Sequence, residues 1–289
     1  MLFTVFTPLY NRAHLLSRIY ESLCEQTYKD FEWVIVDDGS SDNSKVIIAQ
    51  FKESKNNFSI RYFYQENGGK HRAINHGVKE AKGELFLILD SDDSLPNDSL
   101  ETISHYYVQI KDDQSLGGVA GYMAHHNGLV IGHGFHFNTF DASPEDIQHK
   151  YKLKGDMAEV FKTSVLKEFP FPEIEGEKFC PEDLVWNRIS KKYKLRYFNN
   201  VIYYRDYLDG GLTSKIIRIR MDSPIASTIC YSELASSDVP LKIKIKSAIN
   251  FWRFRFCKSK HSFPQIPFYW LWTIPIGWVM HLNDKRKCQ

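Results

Sequence analysis

Four short apolar runs dominate the first ninety residues: LFTVFTP, FEWVIVDDGS, SIRYFYQ and GELFLILD. Stretches of a different period lie between them. Asn11 to Gln26 carries Leu15, Ile19 and Leu23 at i, i+4 and i+8, with Leu16 beside them, which is one face of a helix. Asp42 to Phe51 reads as a short helix that Asp42 can cap, and Gly69 to Ala81 as a third helix. Strand, helix, strand, helix at this spacing leaves room for little except right-handed βαβ units. The expected class is therefore α/β, a Rossmann-like, mostly parallel sheet flanked by helices. In such sheets ligands bind beyond the carboxyl ends of the strands.

Three segments that follow strands fall on that edge: TPLYN, DDGS and DSDD. Asp and Ser after a strand often do no more than cap the next helix. Three acid- or turn-rich segments converging on one edge favour a binding role. Asp90, Asp92 and Asp93 sit where alternate residues leaving a strand can aim two carboxylates at one point. Hard cations such as Mg²⁺ or Mn²⁺ take one or two carboxylates and fill their remaining positions with water and phosphate oxygens. Like charges this close would raise one another's pKa without a cation between them. Asp37 and Asp38 form a second pair. In a nucleotide crevice such a carboxylate accepts hydrogen bonds from a base or a ribose, and Asp38 is the better placed because Gly39 frees the turn behind it. ENGGKHRAINHG then supplies Gly68 and Gly69 for close backbone approach and Lys70 and Arg72 as cations. A plain helix entry with solvent-facing basic residues is the alternative. A Walker phosphate loop is excluded by glycine spacing and by the missing Lys-Ser/Thr ending.

The ordered set TPLYNR, WVIVDDGSSDNS, NGGKHRAINHG and LDSDD resembles a family 2 glycosyltransferase with the GT-A fold, over roughly residues 2 to 215. The resemblance implies a nucleotide-sugar donor, most often UDP-linked, a Mn²⁺ or Mg²⁺ ion, and inversion at the anomeric carbon. It implies that Thr7, Pro8 and Tyr10 line the base pocket and that Asp38 meets the uridine. Asp90 would lie near the ribose, and Asp92 would bind the metal with Asp93 beside it. One position departs from the pattern: many relatives carry an Arg just before the Asn of the A-x-N-x-G segment, and this chain has Ile74. Lys70 or Arg72 is expected to take over its contact.

An inverting transfer needs a base for the acceptor hydroxyl. EGEKFCPEDLVWNRIS offers Glu182 and Asp183 at the start of an amphipathic run, after Pro181 in a position suited to a first helical turn. Acids there are routine. The family often carries a Glu-Asp pair at this point with the Asp as base, so Asp183 is preferred over Glu182. Trp186 either stacks on a sugar ring or belongs to the core. YLDGGLTSK resembles the segment that closes over the donor pyrophosphate in relatives, with Gly210 and Gly211 loosening it, or is simply a loop. His125, His126, His133 and His136 match no zinc spacing and are expected to bind no metal permanently.

Composition enters at the C-terminal end. Over 289 residues the net charge is only +2, yet Pro240 to Gln289 holds ten Lys or Arg against one Asp. Seven of those basic residues interleave with Ile, Phe and Trp between Lys242 and Lys260. Phe263 to His281 then has no charged residue except the histidine. Pro264, Pro267 and Pro275 argue against one straight transmembrane helix. Basic-aromatic composition suits a membrane surface. A protein-packed helical appendage is the alternative, and nucleic-acid binding is disfavoured by the long uncharged run. The five scattered cysteines and the absence of a CxxC pair suit a reducing compartment. The opening MLFTVFTP reads as a strand, not a leader. The expected organisation is a GT-A domain over 1–215 and a helical, membrane-associating segment over 216–289. The expected protein is a peripheral enzyme on the cytoplasmic face of a bacterial membrane. It would transfer a sugar to a saccharide or lipid-linked acceptor for surface polysaccharide or glycolipid. A catalytically silent nucleotide-sugar-binding protein of the same fold is the alternative.

Overall fold

The computed structural model describes residues 1–132, 138–149, 151, 155–206 and 212–288. Eight strands make one sheet: β1 (Phe3–Leu9), β2 (Phe31–Asp37), β3 (Ser59–Tyr64), β4 (Leu85–Ile88), β5 (Leu116–Ala124), β6 (Thr139–Ala142), β7 (Met157–Lys162) and β8 (Lys194–Tyr204). The strand order is β3-β2-β1-β4-β7-β5-β8-β6. The β3-β2-β1-β4 half is parallel throughout, as is the β5–β8 pair, whereas β7 runs antiparallel to both β4 and β5, and β6 antiparallel to β8. The chain steps outward from β1 to β2 to β3 and then returns to place β4 on the other flank of β1. That reversal puts a topological switch point at the carboxyl ends of β1 and β4, the place where ligands bind in open α/β sheets.

The first helices match the sequence pattern. They are α1 (Leu16–Cys24), entered through a 3-10 turn at Ala13–Leu15, α2 (Ser44–Glu53) and α3 (Lys70–Glu80). Leu16, Ile19 and Leu23 of α1 and Ile48 of α2 bury against one face of the sheet, with Phe3, Val5, Trp33 and Ile35. Further helices are α4 (Ser99–Val108), α5 (Pro144–His149), α6 (Thr163–Glu168) and α7 (Glu182–Ser190). Leu100, Ile103 and Tyr107 of α4 join that same core. On α3, Ala73, Ile74 and Val78 are buried, and a Cβ on Gly77 would lie 2.2 Å from the Phe6 ring. Ile74, the departure from the family pattern, is therefore an inward-facing core residue 1% exposed.

A charged group, Glu32, sits inside this core. Glu32 on β2 is fully buried. It accepts hydrogen bonds from the Thr4 hydroxyl (2.7 Å), the Lys82 N–H (2.8 Å) and Arg61 (3.1 Å). Arg61 also donates to Glu80 at 2.9 Å. A buried carboxylate is tolerated because its lone pairs are met by a cation and by neutral donors.

The chain divides into two compact units. The first is Met1–Asn67, Arg72–Pro170 and Arg188–Asp206, which holds the whole sheet; the second is Gly68–His71, Phe171–Asn187 and Tyr207–Gln289. The second unit contains α8 (Leu212–Asp222), α9 (Pro224–Ser236), α10 (Leu241–Arg255) and α11 (Ile274–Cys288). The buried Glu177 carboxylate accepts the Ile225 and Ala226 N–H groups at 2.7 and 2.9 Å, which caps α9 in place of a local side chain. A Cβ on Gly277 of α11 would lie 2.5 Å from the Trp252 Cβ of α10, so the two helices touch closely there. Asp284, two turns further along α11, pairs with Arg253. Among the described residues, no helix is long and apolar enough to cross a membrane.

Candidate functional site

The carboxyl edge of the sheet carries two acidic turns and one backbone kink. β1 ends at Leu9, whose carbonyl accepts the Asp38 N–H at 2.8 Å, so the turn after β2 is laced to the end of β1. Asn11 adopts φ +50 and ties the same turn from the other side: its N–H donates to Ser40 Oγ and its Oδ1 accepts the Ser41 N–H, both at 2.8 Å. Pro8 is half-buried and Tyr10 is 51% exposed at this edge. Thr7, next to Pro8 on β1, is fully buried, and its hydroxyl accepts the Trp33 indole N–H at 2.9 Å. Its side chain supports the strand from the core.

The two aspartates after β2 have different work. Asp37 closes its own turn, accepting the Ser40 N–H at 2.8 Å and the Tyr62 hydroxyl at 2.7 Å. Burial, then Asp37, hold the Tyr62 hydroxyl well above the usual phenol range. Asp38, only 4% exposed, is oriented by two amides: Gln65 Nε2 donates to Oδ1 at 2.8 Å and Asn67 Nδ2 to Oδ2 at 3.1 Å. Gln65 is itself held by His76 at 3.0 Å. Gly39 has φ +84, and a Cβ there would press on the Asn67 backbone at 2.8 Å, so the turn requires glycine.

After β4, the Asp93 N–H donates to the Asp90 carbonyl at 3.1 Å and closes a tight acidic turn. Tyr203 on β8 sits behind it. Its hydroxyl accepts the Asp90 N–H at 3.0 Å and donates to Asp93 Oδ2 at 2.7 Å. Ser94 and Tyr204 exchange backbone hydrogen bonds at 3.1 and 2.8 Å, which fixes the turn to β8. Asp93 is 4% exposed, and burial, followed by the charge of Asp90, pushes its pKa up to about 7. Asp90 and Asp92 remain partly exposed. The Asp92 carbonyl accepts from Arg18 at 3.4 Å, and no hydrogen bond to its carboxylate occurs among the described residues.

Among the described residues, no three His, Cys, Asp or Glu side chains converge as a ready ligand set. Asp92, partly exposed, offers one or two accessible oxygen donors, which is the share a protein gives Mg²⁺ or Mn²⁺ when substrate phosphates supply the rest. The residues fit such an ion on those terms. Asp93 is turned into the protein and is committed to Tyr203.

Next to this turn, His126 bridges Ser94 Oγ (2.9 Å) and Asp206 (2.5 Å), while His125 meets the other Asp206 oxygen at 3.0 Å. Bonding to His125 keeps the Asp206 carboxyl below the usual range. His133 and His136 lie outside the described residues, as do Gly210 and Gly211.

In the second unit, Glu182 and Asp183 open α7, and Asp183 is exposed. Lys70 pairs with Glu182 at 2.9 Å. The two acids are thus distinguished: Glu182 has a cation on it. Gly69 has φ +99, and a Cβ there would fall 1.8 Å from the Lys178 carbonyl. The close approach that its sequence promised is to the protein's own backbone. Trp186 is partly buried and meets Phe171 edge-on at 5.7 Å between ring centres. Arg72, in the first unit, lies partly exposed on α3. Gln65, Asn67 and Tyr203 were not singled out by sequence reasoning. They act across the fold, and no local motif marks them.

A mixed, mostly parallel sheet with acidic turns at its switch point is the architecture of GT-A glycosyltransferases. The chain belongs to glycosyl transferase family 2, whose model matches residues 4–165. It is 40% identical over 123 residues to the glycosyltransferase GlyG of Streptococcus pneumoniae, covering 42% of this chain and 40% of GlyG, so it spans less than half of that relative. It is 27% identical over 220 residues to a GalNAc(5)-diNAcBac-PP-undecaprenol beta-1,3-glucosyltransferase of Campylobacter jejuni, covering 73% and 66%. Among solved structures it resembles S. aureus TarS 1-349 in complex with UDP-GlcNAc, at TM-score 0.63 and 21% identity over 90% of this chain and 74% of that one. It also resembles the mannosyltransferase PcManGT of Pyrobaculum calidifontis in complex with GDP-Man and Mn²⁺, at TM-score 0.57 and 17% identity over 98% and 75%. At these identities the structural likeness shows the fold.

Proposed function

We propose that the protein transfers a sugar from a UDP-linked donor, with inversion, to a saccharide or lipid-linked acceptor in bacterial surface polysaccharide or glycolipid synthesis. The observation that carries this reading is the pairing of two prepared carboxylates at the switch-point edge: Asp38, aimed by Gln65 and Asn67, and Asp92, partly exposed on a turn braced by Tyr203. The TarS complex with UDP-GlcNAc and the Campylobacter undecaprenol-linked glucosyltransferase support the donor and acceptor classes.

Asp38 accepts hydrogen bonds from the uracil or ribose, with Pro8 and Tyr10 flanking the base and Thr7 supporting the strand beneath them. Asp90 lies toward the ribose. Lys70 and Arg72 provide positive charge on the nucleotide side, where relatives use the Arg that Ile74 replaces. Asp92 would hold a Mn²⁺ or Mg²⁺ ion, and Asp93 stands behind it as a structural carboxyl. When bound, the ion neutralises the donor diphosphate and makes nucleoside diphosphate a better leaving group. Asp183 takes the proton from the acceptor hydroxyl as its oxygen bonds to the sugar C1. The bond from C1 to the diphosphate oxygen breaks in the same displacement, which inverts the centre. Glu182 is the less available base because Lys70 is paired with it. On this reading the transferase domain runs over 1–215, and 216–289 associate with the cytoplasmic face of the membrane, where a lipid-linked acceptor resides.

A thermal-shift screen of nucleotide sugars with Mn²⁺ tests the binding half. At least one UDP-sugar raises the melting temperature, and Asp38→Ala weakens that ligand by about tenfold to a hundredfold, the worth of a hydrogen bond to a charged group. No response to any UDP-sugar, or an unchanged affinity in Asp38→Ala, contradicts the assignment.

A further inference from the structure

We propose that the turn Phe268–Thr273 and the outer face of α11 form a docking surface for an anionic lipid bilayer. The proposal deepens the membrane-side reading given above and assigns it to one face. Phe268, Tyr269, Leu271, Trp272, Trp278 and Val279 are all exposed, Phe268 to 80% and Val279 to 60%. Side chains of this size are rarely left together in water unless they serve a contact.

The face is held out rigidly. Thr273, Gly277 and Asp284, spaced one and then two helical turns apart, are buried. Gly277 abuts Trp252, and Asp284 pairs with Arg253. Trp270 is buried with Ala235 and Ala248, so the turn is anchored through its middle while its neighbours face outward. Pro275, Val279, Leu282 and Arg286 follow at i, i+4, i+7 and i+11, which aligns them along the opposite side of α11. The apolar stripe therefore runs about 16 Å along the helix into a basic turn, Lys285, Arg286 and Lys287, all exposed.

Composition and charge select the occupant. Two Trp and a Tyr are the side chains that settle at the boundary of hydrocarbon and headgroup. Asp284, the only acid between Pro240 and Gln289, is buried and neutralised by Arg253, so the exposed charge of this stretch is wholly positive. Aromatic wedge plus cationic turn, on a helix too short and too polar to cross, is the pattern of an element lying in the interface of an anionic leaflet.

Vesicle flotation of the full chain tests this without donor or acceptor, so its outcome is independent of the transferase reading. Vesicles of phosphatidylcholine with about one third phosphatidylglycerol carry the protein upward, pure phosphatidylcholine carries much less, and raised salt narrows the difference. The double variant Trp272→Ser, Trp278→Ser lowers the bound fraction by about tenfold, with an unchanged melting curve because both side chains are exposed. Lys285→Glu with Arg286→Glu removes the preference for anionic lipid. Brominated lipid quenches tryptophan fluorescence in the wild type and not in the double variant. Equal recovery in the soluble fraction with and without anionic vesicles overturns the proposal. So does vesicle binding that the tryptophan substitutions leave intact. Sedimentation showing a concentration-dependent dimer dissolved by those substitutions, with no vesicle binding, assigns the face to a second copy instead and equally overturns it.

Discussion

At the scale of single residues, the carboxylates of the sheet edge and of α7 divide into committed and accessible groups. Asp37 and Asp93 are occupied by tyrosine hydroxyls, each within a turn that they help to close. Asp38 is buried but aimed, and Asp92 and Asp183 are accessible. Asp183→Asn should lower kcat by about 10²–10⁴-fold, the usual worth of a general base, while leaving donor affinity unchanged. Glu182→Gln should leave kcat within about fivefold, since its pair with Lys70 is partly solvent-exposed and worth little. A larger loss in Glu182→Gln than in Asp183→Asn, measured by steady-state transfer, would reverse the two assignments. The motifs show where the acids lie along the chain. They do not show the division of labour, because that depends on distant partners: Tyr203 reaches Asp93 from 110 residues away, and Asn67 reaches Asp38 from 29. Thr7 illustrates the same limit. Its place in a strand-end motif suggests a ligand contact, and alternation along β1 turns it onto the core under Trp33.

At the scale of elements, the first half of the chain is legible because its periods are clean. Amphipathic α1 and α2 and the largely apolar, fully buried β2 announce themselves, since each is buried on the side, or sides, that its pattern requires. The second half of the sheet is harder for a physical reason. β5 reads LGGVAGYMA, and its glycines exist to admit neighbours: a Cβ on Gly117 would meet Tyr193 at 2.9 Å and one on Gly121 would meet Phe198 at 2.6 Å. Close packing of that kind leaves no hydrophobic period to read. The antiparallel insertion of β7 between β4 and β5 is likewise a tertiary pairing without a local signal. Gly69 tests the same principle. With φ +99 and only 1.8 Å between a prospective Cβ and the Lys178 carbonyl, Gly69→Ala should cost about 1–3 kcal/mol. For a unit of about a hundred residues the melting temperature should fall by roughly 4 °C or more per kcal/mol. An unshifted melting curve in that variant would mean that the loop before α3 does not pack as described.

At the scale of the whole molecule, the family and the GT-A fold follow from one ordered series of strand-end motifs, and the solved relatives share that fold across most of the chain. The chemistry of transfer is a proposal built on that frame. Its centre is Asp92, which on this proposal would hold the ion for the donor diphosphate, on a turn that Tyr203 and β8 hold in place. Release of UDP from UDP-sugars, followed with a lipid or saccharide acceptor fraction, in Mn²⁺ or in excess EDTA and for wild type beside Asp92→Asn, measures this most directly. The account predicts turnover of at least one donor that EDTA abolishes and that Asp92→Asn reduces by about a hundredfold or more at an unchanged melting temperature. Full turnover by Asp92→Asn in excess EDTA would contradict it.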